Sequence, residues 1–532
     1  MKFITRSLLI LLLLYGIVFA VGTAYLTHIG APLWSGLVFA VLFAAIQFAI
    51  APWIIERVLD IYWDEQRSQL PARNYEFIER LCAARGLKLP RIGVIQSGTP
   101  NAFSFGHAPG DARVVVTTGL LDILTPDETN AVLAHELGHI EHWDFVVMTI
   151  AALAPLILYQ IYVWTERINN VRVVAYTAYL CYLFSQFIVL MLNRTREYFA
   201  DHYSAEVTRA PNDLSSALVK IACGMVKAEG DYKEAMADKS RMDRAELKSD
   251  YRRAGSLALM GISNLRSGTA LALGLANASE AAAVMRWDLV NPWAKVYELN
   301  STHPLTALRV RRLNGDAEAL HQVPRYPFPE RQRKRWGLFP LELLLWAAPV
   351  MGALLCLSPW WSAEFLRRFG IALPAHFQPV LLMATGALWI LRVRYRYHGE
   401  FHQAAIGELI QDVEVSQMRP RAVRVTGEIV GRGMPGAFWS PDLVQRDESG
   451  IIFILYRQTV PLVRFLFAIS AAENYIGQKV TIDGWFRRGL SPYIEMSSLT
   501  GEDGTRHRAY SRWVQYAIAG LAVVLGYLWF SA

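Results

Sequence analysis

Two uncharged runs, Phe145 to Trp164 and Val173 to Asn193, constrain what this chain can fold into more than any other feature. Each is just long enough to cross a bilayer as a helix, which takes about 20 apolar residues. The connection between them, Thr165 to Arg172, is too short for a domain. The runs therefore read as a hairpin, and whatever precedes the first is held on the same side as whatever follows the second. A buried pair of soluble helices is the alternative, and further runs of the same kind elsewhere in the chain weigh against it.

The flanks of the hairpin carry the chemistry. Before it lies Ala131 to Asp144, with His135-Glu136-Leu137-Gly138-His139 inside a window of helical composition that Thr125-Pro126-Asp127-Glu128 can cap. Positions four apart share a helix face, so His135 and His139 point the same way. Two neutral imidazoles so placed can bind one Zn²⁺, with Glu136 beside the metal to take a proton from its water. After the hairpin comes Asn193 to Asp201, again helical, where Glu197 can be the third metal ligand. Asp201, one turn later, can accept the second ring N–H of a ligand histidine. The plainer alternative pairs Glu197 and Asp201 with Arg194 and Arg196 on a solvated face.

These motifs together resemble the HtpX-type integral-membrane zinc metalloendopeptidases, relatives of the CAAX prenyl protease. The resemblance rests on H-E-L-G-H, on E-Y-F-A-D after two apolar runs, and on Ser301-Thr302-His303-Pro304 with Arg309. Asn101-Ala102-Phe103 and Thr117-Thr118-Gly119-Leu120-Leu121 also match, and the likeness covers roughly residues 1–313. It implies a gluzincin-type α+β site with His135, His139 and Glu197 on a single zinc and Glu136 as base. It also implies that His303 and Arg309 lie near the substrate carbonyl. Asn101, Ala102 and Phe103 fit an edge strand along which a substrate backbone is laid; without the resemblance an ordinary hairpin strand is the plainer reading.

Composition agrees with a membrane setting. Of 532 residues 53% are hydrophobic, and the net charge of +7 admits either nucleic acid or an anionic membrane surface. Clustering favours the membrane, because Arg331, Arg333, Lys334 and Arg335 precede one apolar run and Arg392, Arg394 and Arg396 follow another. The four cysteines show no paired spacing and imply no disulfide framework.

The expected organisation is a transmembrane hairpin over 1–56 and a metallopeptidase domain over 57–320 that includes the hairpin 145–193. A further hairpin over 336–392, a small OB-like β-barrel over 411–508 and a final span over 513–532 complete it. At about 20 residues per crossing this makes about seven spans. With the N-terminus inside, the zinc domain and the barrel fall on the cytoplasmic side. The charged stretch Lys227 to Arg253 reads equally as a lid or as a solvated helix face. In the barrel, Trp439, Trp485, Phe486 and Tyr493 could stack bases and Arg487 and Arg488 could meet phosphates. A barrel core with a basic rim toward the membrane is the favoured reading, so nucleic acid is not an expected partner.

The function expected is a zinc-dependent endopeptidase that hydrolyses membrane or misfolded proteins at the cytoplasmic face of a bacterial plasma membrane, in protein quality control. Its partners are polypeptide substrates, membrane proteins above all, and the lipid bilayer. Two alternatives remain open: a zinc-bound, non-proteolytic scaffold recruiting partners through the barrel, and a metal hydrolase of non-peptide bonds.

Overall fold

The computed structural model describes residues 33–166, 172–238, 278–329, 336–357, 374, 376–432, 441–458, 461–470, 472–489 and 492–531. The chain divides into two compact units, residues 1–272 with 296–328, and residues 273–295 with 329–532.

The first unit begins with a long apolar helix, α1 (Leu33–Val58), followed by strand β1 (Tyr62–Trp63) and helix α2 (Ala72–Arg85). Strands β2 (Arg91–Ile95), β3 (Ala102–Phe105) and β4 (Arg113–Thr117) complete a four-stranded sheet of order β1-β2-β4-β3. β2 and β4 run parallel, and β3 closes the edge antiparallel to β4. The β-branched side chains of Val94, Val114 and Val116 are buried from this sheet into the core. Helices α3 (Thr118–Ile123) and α4 (Pro126–Glu141) follow.

α4 starts where its cap dictates. Thr125 Oγ1 accepts from Glu128 N, and the Glu128 carboxylate accepts from Thr125 N at 2.8 Å, a reciprocal capping box with Pro126 in the first turn. Lys220 Nζ, 2.7 Å from Glu128, ties this start to a later helix.

Helices α5 (Asp144–Glu166) and α6 (Arg172–Thr208) form the hairpin and pack along each other, with α1 against α5. At 1.5 Å per residue α6 is about 55 Å long, well beyond a hydrocarbon core of about 30 Å. Its C-terminal turns therefore extend past the apolar stretch and pack on α4. Helix α7 (Pro211–Asp238) covers that pair. Helices α8 (Ala278–Val290) and α9 (Pro292–Leu299) lead to α10 (Thr306–Ala319), which returns to α6 and α7.

In the second unit, helices α11 (Phe339–Leu357) and α12 (Phe377–Arg396) precede the short strand β5 (His402–Gln403) and helix α13 (Ile406–Gln411). Strands β6 (Arg421–Arg432), β7 (Leu443–Asp447), β8 (Gly450–Leu455), β9 (Lys479–Arg488) and β10 (Pro492–Thr500) close a five-stranded barrel. Around the ring the order is β6-β7-β8-β10-β9 and back to β6, with only β8 and β10 parallel. Helix α14 (Pro461–Ser470) lies between β8 and β9 in sequence. β11 (Arg506–Arg508) extends β10, and α15 (Ser511–Ser531) ends the chain.

Among the described residues, five helices are long and apolar enough to cross a membrane: Trp34–Val58, Asp144–Glu166, Val174–Thr208, Phe339–Cys356 and Ser511–Ser531. The first arm of the expected hairpin over 1–56 lies outside the described residues, as do the Arg331 to Arg335 cluster and most of the lid candidate. The second arm of the expected hairpin over 336–392 overlaps α12, which begins at Phe377 and runs into Arg392, Arg394 and Arg396.

The residues offered for stacking bases are spent inside the second unit. Trp485, Phe486 and Tyr493 are buried, and so are both arginines. Arg487 bonds Glu495, while Arg488 donates to Ile410 O, in the last turn of α13, where a cation is favoured, and to Val284 O, midway along the helix Ala278–Val290. Trp439 lies outside the described residues.

Candidate active site

One turn of α4 separates His135 from His139, and their Nε2 atoms face each other at 3.2 Å. Glu197 reaches across from α6, with Oε1 3.7 Å from His139 Nε2 and Oε2 3.8 Å from His135 Nε2. One ligand atom from each of the three residues lies within 4.8 Å of the others. Gly138 makes this approach possible. A Cβ there would sit 3.0 Å from Tyr203 Cδ1 and 3.4 Å from Ala200 Cα, so a larger residue would need the Tyr203 ring to give by a few tenths of an ångström.

The other ring nitrogen of each histidine is held by a carboxylate. His135 Nδ1 is 3.1 Å from Asp201 Oδ1, and His139 Nδ1 is 2.5 Å from Asp144 Oδ2. The Asp144 hydrogen bond puts the His139 proton on Nδ1 and leaves a lone pair on Nε2, and the Asp201 carboxylate beside Nδ1 favours the same tautomer of His135. Two lone pairs 3.2 Å apart repel unless a cation lies between them. With zinc–nitrogen bonds of about 2.0–2.1 Å in tetrahedral geometry, two such nitrogens stand about 3.3 Å apart. The donor set fits a divalent metal.

The carboxylates are themselves anchored. Arg196 bonds Asp144 at 2.7 Å, and Arg194 donates to Glu298 O and Ser301 O. Neither arginine pairs with Glu197 or Asp201, which removes the solvated-face alternative. Arg309, on α10 and 1% exposed, grips Asp201 through Nε (2.8 Å) and Nη2 (2.5 Å), with Nη1 3.4 Å from Glu197. These two carboxylates hold its guanidinium well above the usual arginine range despite burial. Burial alone would lower the His139 pKa; the Asp144 hydrogen bond and the Glu197 and Glu136 charges raise it instead.

His303 lies in the turn before α10, with Nδ1 3.2 Å from Glu197 Oε2. Asn193 holds that turn from α6 through Thr302 O at 2.8 Å. The edge strand β3 meets the site from the other side. Asn101, Ala102 and Phe103 have buried side chains, and Ser104 Oγ donates to Glu136 Oε2 at 2.8 Å. Thr117 N bonds Asn101 O, so the alternation of the ladder turns the Ala102 and Ser104 backbones away from β4, toward the open edge.

The structure thus gathers His135, Glu136, His139, Glu197, Asp201, His303 and Arg309 at one place, beside the strand that starts at Ala102. Sequence reading missed Asp144 and Ser104. Asp144 had a signal, five residues after His139 at the start of an apolar run; Ser104 had none short of the strand pairing.

A fold of this kind, with H-E-x-x-H on one helix and a glutamate on the return helix of the hairpin that follows, defines the class of metallopeptidases. The sequence profile of peptidase family M48 matches residues 71–317. A protease HtpX homolog of Methanothermobacter thermautotrophicus is 36% identical over 222 residues, 41% of this chain and 84% of that protein. One from Moorella thermoacetica is 33% identical over 204 residues, 35% of this chain and 68% of the relative. A third, from Aeropyrum pernix, is 31% identical over 297 residues, 53% and 85% of the two chains. The crystal structure of S. mikatae Ste24p covers 58% of this chain and 65% of its own, at 19% identity and a TM-score of 0.36. The chain belongs to peptidase family M48 and is a metalloprotease, a hydrolase.

Proposed function

We propose that this protein is a membrane-embedded, zinc-dependent endopeptidase that cuts membrane or misfolded polypeptides at the cytoplasmic face, in protein quality control. The observation that carries the reading is the pair of Nε2 atoms 3.2 Å apart, each ring fixed by a carboxylate, with Glu197 opposite.

His135, His139 and Glu197 would hold one Zn²⁺, which supplies Lewis acidity toward the scissile carbonyl and acidifies water at its open position. Glu136 takes the proton of the attacking water and passes it to the leaving nitrogen. Ser104 holds the Glu136 carboxylate while the proton moves. His303 is the group free to turn toward the developing oxyanion. Arg309 has a positioning part instead of the oxyanion contact its motif implied, because both of its edges are taken by Asp201 and Glu197. The open edge at Ala102 and Ser104 accepts the substrate backbone as an added strand. Such addition reads little sequence, which suits a broad range of unfolded chains.

The barrel's ring order, with a helix between its third and fourth strands, supports an OB-like reading. Two spans, α5 and α6, separate His139 from Glu197, so both ligand helices share one face of the membrane. Counting the seven expected spans from an inside N-terminus, α12 included as the partner of α11, that face is cytoplasmic. Substrate trapping tests the whole reading: Glu136→Gln should keep its zinc, lose peptide cleavage and retain bound polypeptide. Cleavage at the parental rate would sink it. Labelling of intact cells by an impermeant thiol reagent at Asn169→Cys and Ala532→Cys, but not at Ser449→Cys, checks the orientation.

A further inference from the structure

Helix α14 turns only a small part of its surface into the barrel. Phe467 and Ala468 are buried, Phe467 lying 4.3 Å from Tyr456 and 5.5 Å from His507 by ring centroids. Leu462, Phe465 and Leu466 recur at i, i+3 and i+4 and are 62%, 42% and 49% exposed, with Val463 at 38%. Large apolar side chains concentrated on one short helix mark a surface made to be covered. Arg464 is exposed among them.

The position of the helix identifies the cover. Gln458, three residues before α14, accepts a hydrogen bond from Tyr510 N at 3.2 Å, and its Nε2 approaches Arg508 O at 3.5 Å. Tyr510 directly precedes α15, one of the helices apolar enough to span. Three residues extend at most about 11 Å, so the first turn of α14 lies beside the root of α15. Tyr510 and Trp513 are exposed at that root, as amphipathic aromatics are at a bilayer surface. Arg508, also exposed, adds positive charge there.

We propose that α14 is an interfacial helix. Leu462, Val463, Phe465 and Leu466 enter the headgroup–acyl boundary of the bilayer that α15 crosses, about 5–10 Å deep, and Arg464 meets lipid phosphate. This seats the barrel on the membrane surface. The inference rests on α15 being a span and not on the peptidase chemistry.

Spin labels test it on the full chain, with its four cysteines replaced by serine or alanine. The protein is held in nanodiscs of phosphatidylcholine with a minority of phosphatidylglycerol. Labels go at Val463→Cys and Leu466→Cys, with Ser449→Cys as a water-exposed reference and Leu525→Cys as a reference on α15. Lipid contact is read as high collision with oxygen and low collision with a water-soluble nickel chelate. The expected result is an oxygen-to-nickel ratio at 463 and 466 several-fold above that at 449. It should fall to the 449 value when Arg464→Glu is combined with Leu462→Gln. A ratio at 463 and 466 equal to that at 449 overturns the proposal. So does low collision with both reagents, which would mean a polypeptide or a second copy covers the helix. A water-like ratio at Leu525 would instead remove the span on which the inference rests.

Discussion

The two units each bury a charge cluster, and the clusters are built for opposite ends. In the barrel, Glu495 accepts from Tyr397 at 2.5 Å and from Arg487 at 2.8 Å, with Arg396 at 3.4 Å. Glu342 nearby in that unit accepts from Trp293, Ser416, Tyr395 and Arg419. Every carboxylate there is matched by donors of this chain, so the cluster is complete without any ion. In the metallopeptidase unit, Asp144 and Asp201 are matched in the same way. The difference is one layer further in, where His135, His139 and Glu197 aim three acceptor atoms at a common point. A structural cluster closes on itself, whereas a metal site closes on its outside and leaves its inside convergent.

The sharpest way to break this contrast is to alter the group that stands at the convergent point without ligating. Glu136→Gln should lower peptide cleavage by about a hundredfold or more and leave bound zinc, measured by atomic absorption, unchanged. Loss of the metal as well would make Glu136 part of the ligand shell.

Next in size is the closed cluster. Glu495→Ala leaves Arg487 buried without its carboxylate and should cost about 3–5 kcal/mol of folding stability. Denaturant unfolding followed by near-ultraviolet circular dichroism reads it, and zinc content should not move.

The same group predicts a pH dependence. Its arginine neighbours hold the Glu495 carboxyl at about 2 against an ordinary value of 4.5, overcoming the burial that would raise it. A depressed carboxyl stabilises the fold above its unfolded pKa, so the contribution is complete above pH 4.5 and is lost as pH falls toward 2. The loss is on the order of 3 kcal/mol, and acid unfolding of Glu495→Gln should lack it. An identical acid limb in both proteins would assign the loss elsewhere.

The smallest effect tests the outer layer of the metal site. Asp144→Asn keeps the shape but weakens the acceptor for His139 Nδ1–H, and should reduce zinc affinity by about 10–100-fold. A competition titration with a chelator measures it. Unchanged affinity would show that Arg196 and the helix packing suffice to orient the ring.

Much of the site was legible because its information is local. The spacing of His135 and His139 sets a shared helix face, Thr125 and Glu128 set the start of that helix, and the apolar hairpin requires Glu197 to return to the side it left. Asp201 follows from Glu197 by one turn. The barrel was only partly legible. The stretches at Val423, Ile451, Lys479 and Tyr493 were readable as strands, but β7 was not, since Leu443 to Asp447 runs straight into the turn residues Glu448-Ser449-Gly450. α14 was missed because its apolar run, Leu462 to Ile469, is too short for length to separate helix from strand.

The chain itself therefore decided the elements whose cause lies within one or two turns: spans, caps and the ligand face. Tertiary structure decided what depends on partners distant in sequence. It set Arg309 against Asp201, 108 residues earlier, and it brought Ser104 to Glu136 from 32 residues away. It buried Trp485 and Arg487, for which a nucleic-acid face was the less favoured reading. The physical reason is the same in each case. A side chain's chemistry is written in the sequence, but the dielectric and the counter-charge that decide its use come from whichever segments pack against it.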